Sequence, residues 1–260
     1  MVAISWGLCM GGLSFPLHVP IRFVPIGLSV DGLSVCRHHL VLTNTGLPPI
    51  WSYELDYAST QSSSLVQHDA LATCYWPAAA VLARLIPLIP GLQDLKVAEL
   101  GCGTGLCSIA AAACGAHVIA SDIDRVALKL VSAAAREQCL DQLVIAKLDV
   151  LHEPLPVVNV LILSDVFVTE PLTVAHAKAT QQALMSGALV LVVDPGRPTR
   201  SLYLDSLAKL DVSHLGFRPD ASVRAELSKL SEPGGWQRLP SSARLMLVDT
   251  DEGAPLHYEI

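Results

Sequence analysis

Charged side chains are scarce in this chain: only 16% of its 260 residues are Asp, Glu, Lys or Arg, and aromatic residues make up 5%. It has no run of Lys or Arg and a net charge of −7, so no face is set up to meet a nucleic-acid backbone. The seven cysteines form no Cys-x-x-Cys pair, and none of the nine histidines is spaced four residues from another. The common zinc patterns are therefore missing, and no metal site is expected. Cysteines of odd number inside apolar stretches also argue against a disulfide framework; they read as reduced thiols of the cytoplasm or of an organelle matrix. The Gly-x-Ser-x-Gly elbow of α/β hydrolases is missing as well.

Residues 1–21 lack any charge. Pro16, His18 and Pro20 break that apolar run, and neither a basic start nor a small-x-small cleavage site accompanies it, so membrane insertion and a secretory signal are not expected. Up to Tyr53 the charges are Arg22, Asp31 and Arg37 alone, an acid-poor and faintly basic segment without the arginine density of a strong transit peptide. It reads either as an organelle-targeting segment or as an irregular N-terminus. The expected organisation is a leader over 1–36 and one domain over 37–260.

What is abundant is apolar residues, 52% of the chain, with a mean hydropathy of +0.48. That supply builds a sizeable core. After a short strand signal at 38–42 and a polar stretch at 59–64, Trp76-Pro77 opens an alanine-rich helix that Pro87 ends. Strand and helix then alternate. Strands are predicted at 96–100, 117–120, 143–146, 157–163 and 188–193, and helices at 104–114, 124–138 and 170–185, with Asp124 as the cap of its helix. The continuous apolar runs at 157–163 and 188–193 suit parallel strands buried on both faces. A further helix at 201–210 and strands at 243–248 and 256–260 close one edge, while 218–242 shows no readable pattern. The fold class is a doubly wound, mostly parallel seven-stranded α/β sheet, whose ligand site lies beyond the carboxyl ends of the strands.

The strongest motif is Glu99-Leu100-Gly101-Cys102-Gly103-Thr104-Gly105, between the first of these strands and its helix. Alternate glycines let the backbone turn sharply and approach a ligand. Leu106 stands where the dinucleotide fingerprint has its third glycine, so a pyrophosphate cradle fits less well, and a nicotinamide enzyme would rest on Asp122 alone. Asp122 closes the second strand, 21 residues after Gly101, where an acid can accept from both ribose hydroxyls. Asp149 closes the third.

Glycine turn and acids together resemble the cofactor motifs of the class I, seven-strand S-adenosylmethionine-dependent methyltransferases. The resemblance implies S-adenosylmethionine as cofactor, with Glu99 at its amine, Gly101, Cys102, Gly103 and Gly105 under its methionine part, Asp122 and Ile123 at the ribose and Asp149 at the adenine. Three further stretches are similar to the lysine-directed family 16 group: Trp76-Pro77, Ser164-Asp165-Val166-Phe167, and Asp194-Pro195-Gly196-Arg197-Pro198. The last is most like the segment of those members that methylate the electron transfer flavoprotein beta subunit. This implies a protein-lysine N-methyltransferase of the mitochondrial matrix or the cytoplasm, whose partner is a protein carrying the acceptor lysine. Asp165 is then the principal catalytic-site residue, orienting the acceptor amine; Trp76 lies over the cofactor; Phe167, Asp194 and Arg197 are candidates on the substrate side.

Each residue also has a plainer reading. Asp165 can cap the next helix, Trp76 can pack in the core, and Arg197 can pair with a carboxylate of its own chain. In that group the third residue after the acid is commonly Tyr; here it is Val168. A methyltransferase of a small amine and a non-catalytic binding domain are the competing functions.

Overall fold

In a computed structural model, the residues described are 23–30, 32–42, 45–56, 70–208, 216–230 and 235–250. The segment 1–22 and the strand expected at 256–260 lie outside them. Three strands, β1 (Phe23–Val30), β2 (Leu33–Leu40) and β3 (Ile50–Leu55), form a small antiparallel sheet. Of the leader expected over 1–36, residues 23–30 and 33–36 are therefore strand, and β2 runs through the 36/37 division.

The main sheet has seven strands: β4 (Lys96–Leu100), β5 (His117–Asp122), β6 (Leu143–Lys147), β7 (Val160–Ser164), β8 (Leu189–Asp194), β9 (Arg218–Pro219) and β10 (Leu245–Asp249). Their order is β6-β5-β4-β7-β8-β10-β9, and every pairing is parallel. The strand expected at 243–248 does not close the edge. As β10 it lies between β8 and the two-residue β9, which formed out of the stretch that showed no pattern. The strand expected from Val157 begins three residues later, because Pro154 and Pro156 carry the chain past the sheet and leave Val157 78% exposed.

Seven α-helices are found among the described residues: α1 (Ala70–Thr73), α2 (Pro77–Leu85), α3 (Leu106–Ala113), α4 (Arg125–Glu137), α5 (Glu170–Met185), α6 (Arg200–Ala208) and α7 (Asp220–Leu227). Asp124 caps α4 by accepting from the amides of Val126 and Ala127, both at 2.8 Å. Pro77 occupies the first turn of α2, where its missing N–H costs nothing. Two cores follow from the double winding. Leu106, Ile109, Leu130 and Val131 pack with Val97 and Val118 on one face; Phe167, Ala177 and Tyr203 pack with Leu161 and Val190 on the other. Every residue of β8 is buried, as its unbroken apolar run requires.

The small sheet docks on α3 and α4 through β3. Glu137 receives Arg37 at 2.7 Å and the Tyr53 hydroxyl at 2.5 Å, while the Gln138 side chain bonds both the amide and the carbonyl of Trp51. Glu54 pairs with His38 and also accepts from the amide of Tyr75, which ties the sheet to the entry of α2.

Candidate active site

The strand order reverses at β4, which is paired with β5 on one side and β7 on the other. Open α/β sheets hold ligands beyond such a reversal, at the carboxyl ends of the strands. A cavity of about 410 Å³ opens there. It brings together Trp76, Glu99, Gly101, Cys102, Gly103, Asp122, Ile123, Asp149, Asp165 and Arg197.

The glycine turn has its shape because three backbones are left-handed: Gly101 at φ 66°, Gly103 at 50° and Gly105 at 74°. A side chain at Gly101 would come to 3.0 Å from Val166, and one at Gly103 to 3.2 Å from the Ala72 carbonyl. Both glycines thus keep the floor of the cavity open to α1 and the β7 loop. Gly105 behaves differently. It starts α3 away from the cavity wall, and a Cβ there would stand 2.6 Å from Val131 of α4, so it serves helix packing rather than the ligand. The Cys102 amide bonds the Ser121 carbonyl at 2.9 Å and fastens the turn to β5, while burial raises the thiol's pKa far above its usual value.

Glu99 and Asp122 are buried carboxylates that take hydrogen bonds but, among the described residues, no ion pair. Glu99 accepts from the amide and hydroxyl of Ser108, at 2.8 and 2.5 Å. Desolvation nevertheless raises its pKa to about 7. Asp122 accepts from the amides of Gly103 and Asp124, both at 2.9 Å, and burial raises its pKa too. Each retains lone pairs for a further donor. A buried carboxylate in the wall of a cavity, unmatched by a cation of its own, fits an ammonium group; a buried strand-end aspartate fits paired hydroxyls. The residues present therefore fit S-adenosylmethionine: Glu99 would hold its amine, Asp122 its ribose, and Gly101 and Gly103 its methionine part. Asp149 lies at the mouth, where His152 at 2.8 Å and the Leu151 amide at 2.9 Å share its carboxylate. The His152 bond, chiefly, lowers its pKa.

On the other side of the cavity the carboxylate of Asp165 is already matched. Asp165, just past β7 at φ 55°, receives Arg197 Nε at 2.7 Å and Nη2 at 3.0 Å in a two-pronged pair. Burial raises the pKa of Asp165, Arg197 pulls it back, and the same pair raises that of Arg197. Asp165 does not cap α5; Thr169 does, through the Leu172 amide. The guanidinium carbon of Arg197 lies 5.3 Å from the centre of the Trp76 ring, whose Nε1 donates to the Leu71 carbonyl at 2.7 Å.

Two expected substrate-side residues do not face the cavity. Phe167 is 1% exposed and stacks on Tyr203 at 4.3 Å, because the left-handed turn at Asp165 directs it into the core under α5 and α6. Asp194 is fully buried, and its Oδ2 accepts from the amides of Gly196 and Arg197 and from Arg200 Nε. It shapes the turn that presents Arg197. Conversely, Ala72, Leu172 and His176 line the cavity without any local motif to announce them, and Val168 lines it at the motif position where the resembled group commonly has Tyr. His176 Nδ1 lies 2.7 Å from the Leu172 carbonyl, to which it donates, and burial lowers the ring's pKa to about 4.

Residues 89–191, from Ile89 before β4 to Leu191 within β8, match the family model of the ribosomal protein L11 methyltransferase (PrmA). The fold is a class I methyltransferase fold. The matched segment is less than half of the chain but contains Glu99, the glycine turn, Asp122, Asp149 and Asp165. No curated protein matches the chain. Among solved structures, Arabidopsis thaliana protein arginine methyltransferase 10 is similar at 18% identity over 40% of this chain and 32% of that one, with a TM-score of 0.35. The Trypanosoma brucei PRMT1 enzyme–prozyme complex with AdoHcy gives 24% identity over 38% and 33%, at 0.30. TrmN from Thermus thermophilus gives 24% over 50% and 40%, at 0.38. The chain spans less than half the length of each, and likeness at this level says nothing of the methyl acceptor.

Proposed function

We propose that this chain transfers a methyl group from S-adenosylmethionine to a lysine side-chain amine of a protein. The observation that carries the reading is the cavity itself. One of its sides presents buried carboxylates that, among the described residues, have no ion pair, around a glycine turn, and the other ends on Asp165 beside an aromatic face. The description of the matched model, a methyltransferase of a ribosomal protein, supports a protein acceptor.

S-adenosylmethionine, when bound, supplies a methyl group already activated on a sulfonium. What remains for the protein is alignment, exclusion of water and a neutral nucleophile. A lysine amine, with an ordinary pKa of about 10.4, must lose its proton and direct its lone pair inward. Asp165 accepts a hydrogen bond from that amine and sets its direction, while Trp76 walls the passage from the α2 side. The most specific substrate is the electron transfer flavoprotein beta subunit, on the likeness of 194–198, and the matching compartment is the mitochondrial matrix.

Val168 favours a second reading. It lines the cavity where the resembled group commonly has Tyr, and a smaller, apolar wall suits methylation of a small amine. Incubation with radiolabelled S-adenosylmethionine and an organellar lysate, followed by hydrolysis of the labelled protein to amino acids, separates the two. Label on methyl-lysine supports the lysine reading; label on another residue type contradicts it; label only in the low-mass fraction selects the small amine.

A further inference from the structure

Resting on the reading of Asp165 and Trp76 as the acceptor side, we infer that Arg197 occupies the acceptor's cation seat in the resting protein and is displaced by exchange. The preferred substrate is accordingly a lysine presented beside a carboxylate. The seat is defined by what fills it. Asp165, whose side chain is 3% exposed, holds the guanidinium by two bonds, and the Trp76 face lies behind it. A carboxylate and an aromatic face are the two features that hold an alkylammonium as well. The seat opens into the same cavity as the glycine turn, so a cation there lies beside the cofactor residues.

Two arginines leave the same turn, and they are held differently. Arg200 bridges two carboxylates, Asp194 and Asp249, and lies 4.3 Å from the Phe217 ring centre. Arg197 has its backbone fixed by Asp194, but among the described residues its side chain is hydrogen-bonded to one carboxylate, Asp165, and it is 26% exposed. Its head can therefore leave while its base stays in place. Leaving alone is costly, because it strands a buried carboxylate. An incoming lysine resolves this for Asp165. A carboxylate next to that lysine resolves it for Arg197, so that the one ion pair at the seat before the exchange becomes two after it. A neighbour without charge leaves Arg197 to water, a weaker arrangement.

The test uses the full chain saturated with S-adenosylhomocysteine and two end-blocked dipeptides, Glu-Lys and Gln-Lys, titrated by calorimetry. The parent binds Glu-Lys about fivefold more tightly than Gln-Lys, the worth of one part-exposed ion pair. In Arg197→Gln the preference vanishes, and Gln-Lys binds more tightly than it does to the parent because no occupant has to leave. Equal affinities for the parent, or a variant that binds Gln-Lys no better than the parent does, overturns the exchange. The parent's own preference needs no variant, so a misfolded Arg197→Gln leaves the test in force. Should S-adenosylhomocysteine fail to bind at all, the methyltransferase reading falls, and the dipeptide preference of the free protein still decides for or against the seat.

Discussion

The two sides of the cavity treat buried carboxylates in opposite ways. At the ends of β4 and β5, Glu99 and Asp122 are satisfied by amides and a hydroxyl, and burial pushes both pKa values up. Beyond β7, Asp165 is paired with Arg197, and behind it, outside the cavity wall, Asp194 is paired with Arg200. The first arrangement stores an electrostatic deficit that a cationic ligand relieves. The second is balanced within the protein and changes only by exchange of partners. Buried ion pairs add little net stability, whereas unmatched buried carboxylates subtract from it. The contrast therefore marks one side as built to bind a charge and the other as built to hold its shape until a competing cation arrives.

Backbone strain gives the largest way to sharpen this contrast. Gly105→Ala forces an L-residue into φ 74° and brings its Cβ to 2.6 Å from Val131, so urea denaturation should show a loss of about 4 kcal/mol from left-handed strain and overpacking together. Gly196, at φ 91°, sits in the arginine-bearing turn, where an added Cβ would meet nothing within 4 Å; Gly196→Ala should cost only the strain, about 1 to 2 kcal/mol. Equal losses would mean that the glycine turn is no more tightly built than its counterpart.

Glu99→Gln tests the deficit directly. The carboxyl has an ordinary pKa near 4.5 when unfolded and about 7 when folded, so the folded state binds the proton more strongly. Its contribution to stability is complete below about pH 4.5 and is lost as the pH rises through 7. Gln, which can still accept from Ser108, escapes that penalty. The ligand-free variant should exceed the parent in stability at pH 8 by up to about 3 kcal/mol, and by little at pH 4, while losing affinity for S-adenosylmethionine. A variant less stable than the parent at pH 8 would show that Glu99 is already matched.

On the balanced side, Asp165→Asn should leave S-adenosylhomocysteine affinity within a few-fold of the parent and lower methyl transfer roughly a hundredfold, about 2.7 kcal/mol of lost positioning. Rates measured on the labelled acceptor check this. Because Thr169 rather than Asp165 caps α5, capping cannot rescue the Asn variant, and full activity would remove Asp165 from the acceptor side.

How much of this was legible in the sequence follows the same division. Glu99, Gly101, Gly103 and Asp122 carry their meaning within a strand, a turn and the next strand, so local pattern placed them on one cavity. The Asp165–Arg197 pair spans 32 residues and two strand ends, and no local spacing joins its members. Phe167 was misplaced by direction alone: it follows Asp165 by two residues, but the left-handed backbone at Asp165 turns it inward. Gly105 looked like its two neighbours because a motif records a need for glycine without saying whether a ligand or a helix imposes it. In the fold, the β4 to β8 alternation was readable element by element. The position of β10 inside the sheet was not, since strand order is fixed by long-range packing. The β1–β2 hairpin did leave a sign, the dipeptide Asp31-Gly32 between apolar runs, with Gly32 at φ 82°; the charge-poor leader masked it.

The central claim is that the deficit at Glu99 and Asp122 is a binding site for S-adenosylmethionine. Calorimetric titration near pH 7, in buffers of different ionisation enthalpy, tests it most directly. The account predicts metal-independent binding of S-adenosylmethionine and S-adenosylhomocysteine, with release of part of a proton as Glu99 ionises against the incoming amine. It also predicts that Asp122→Ala weakens both ligands by about 3 kcal/mol, roughly a hundredfold. Tight binding of NADH with no heat from S-adenosylhomocysteine would contradict it.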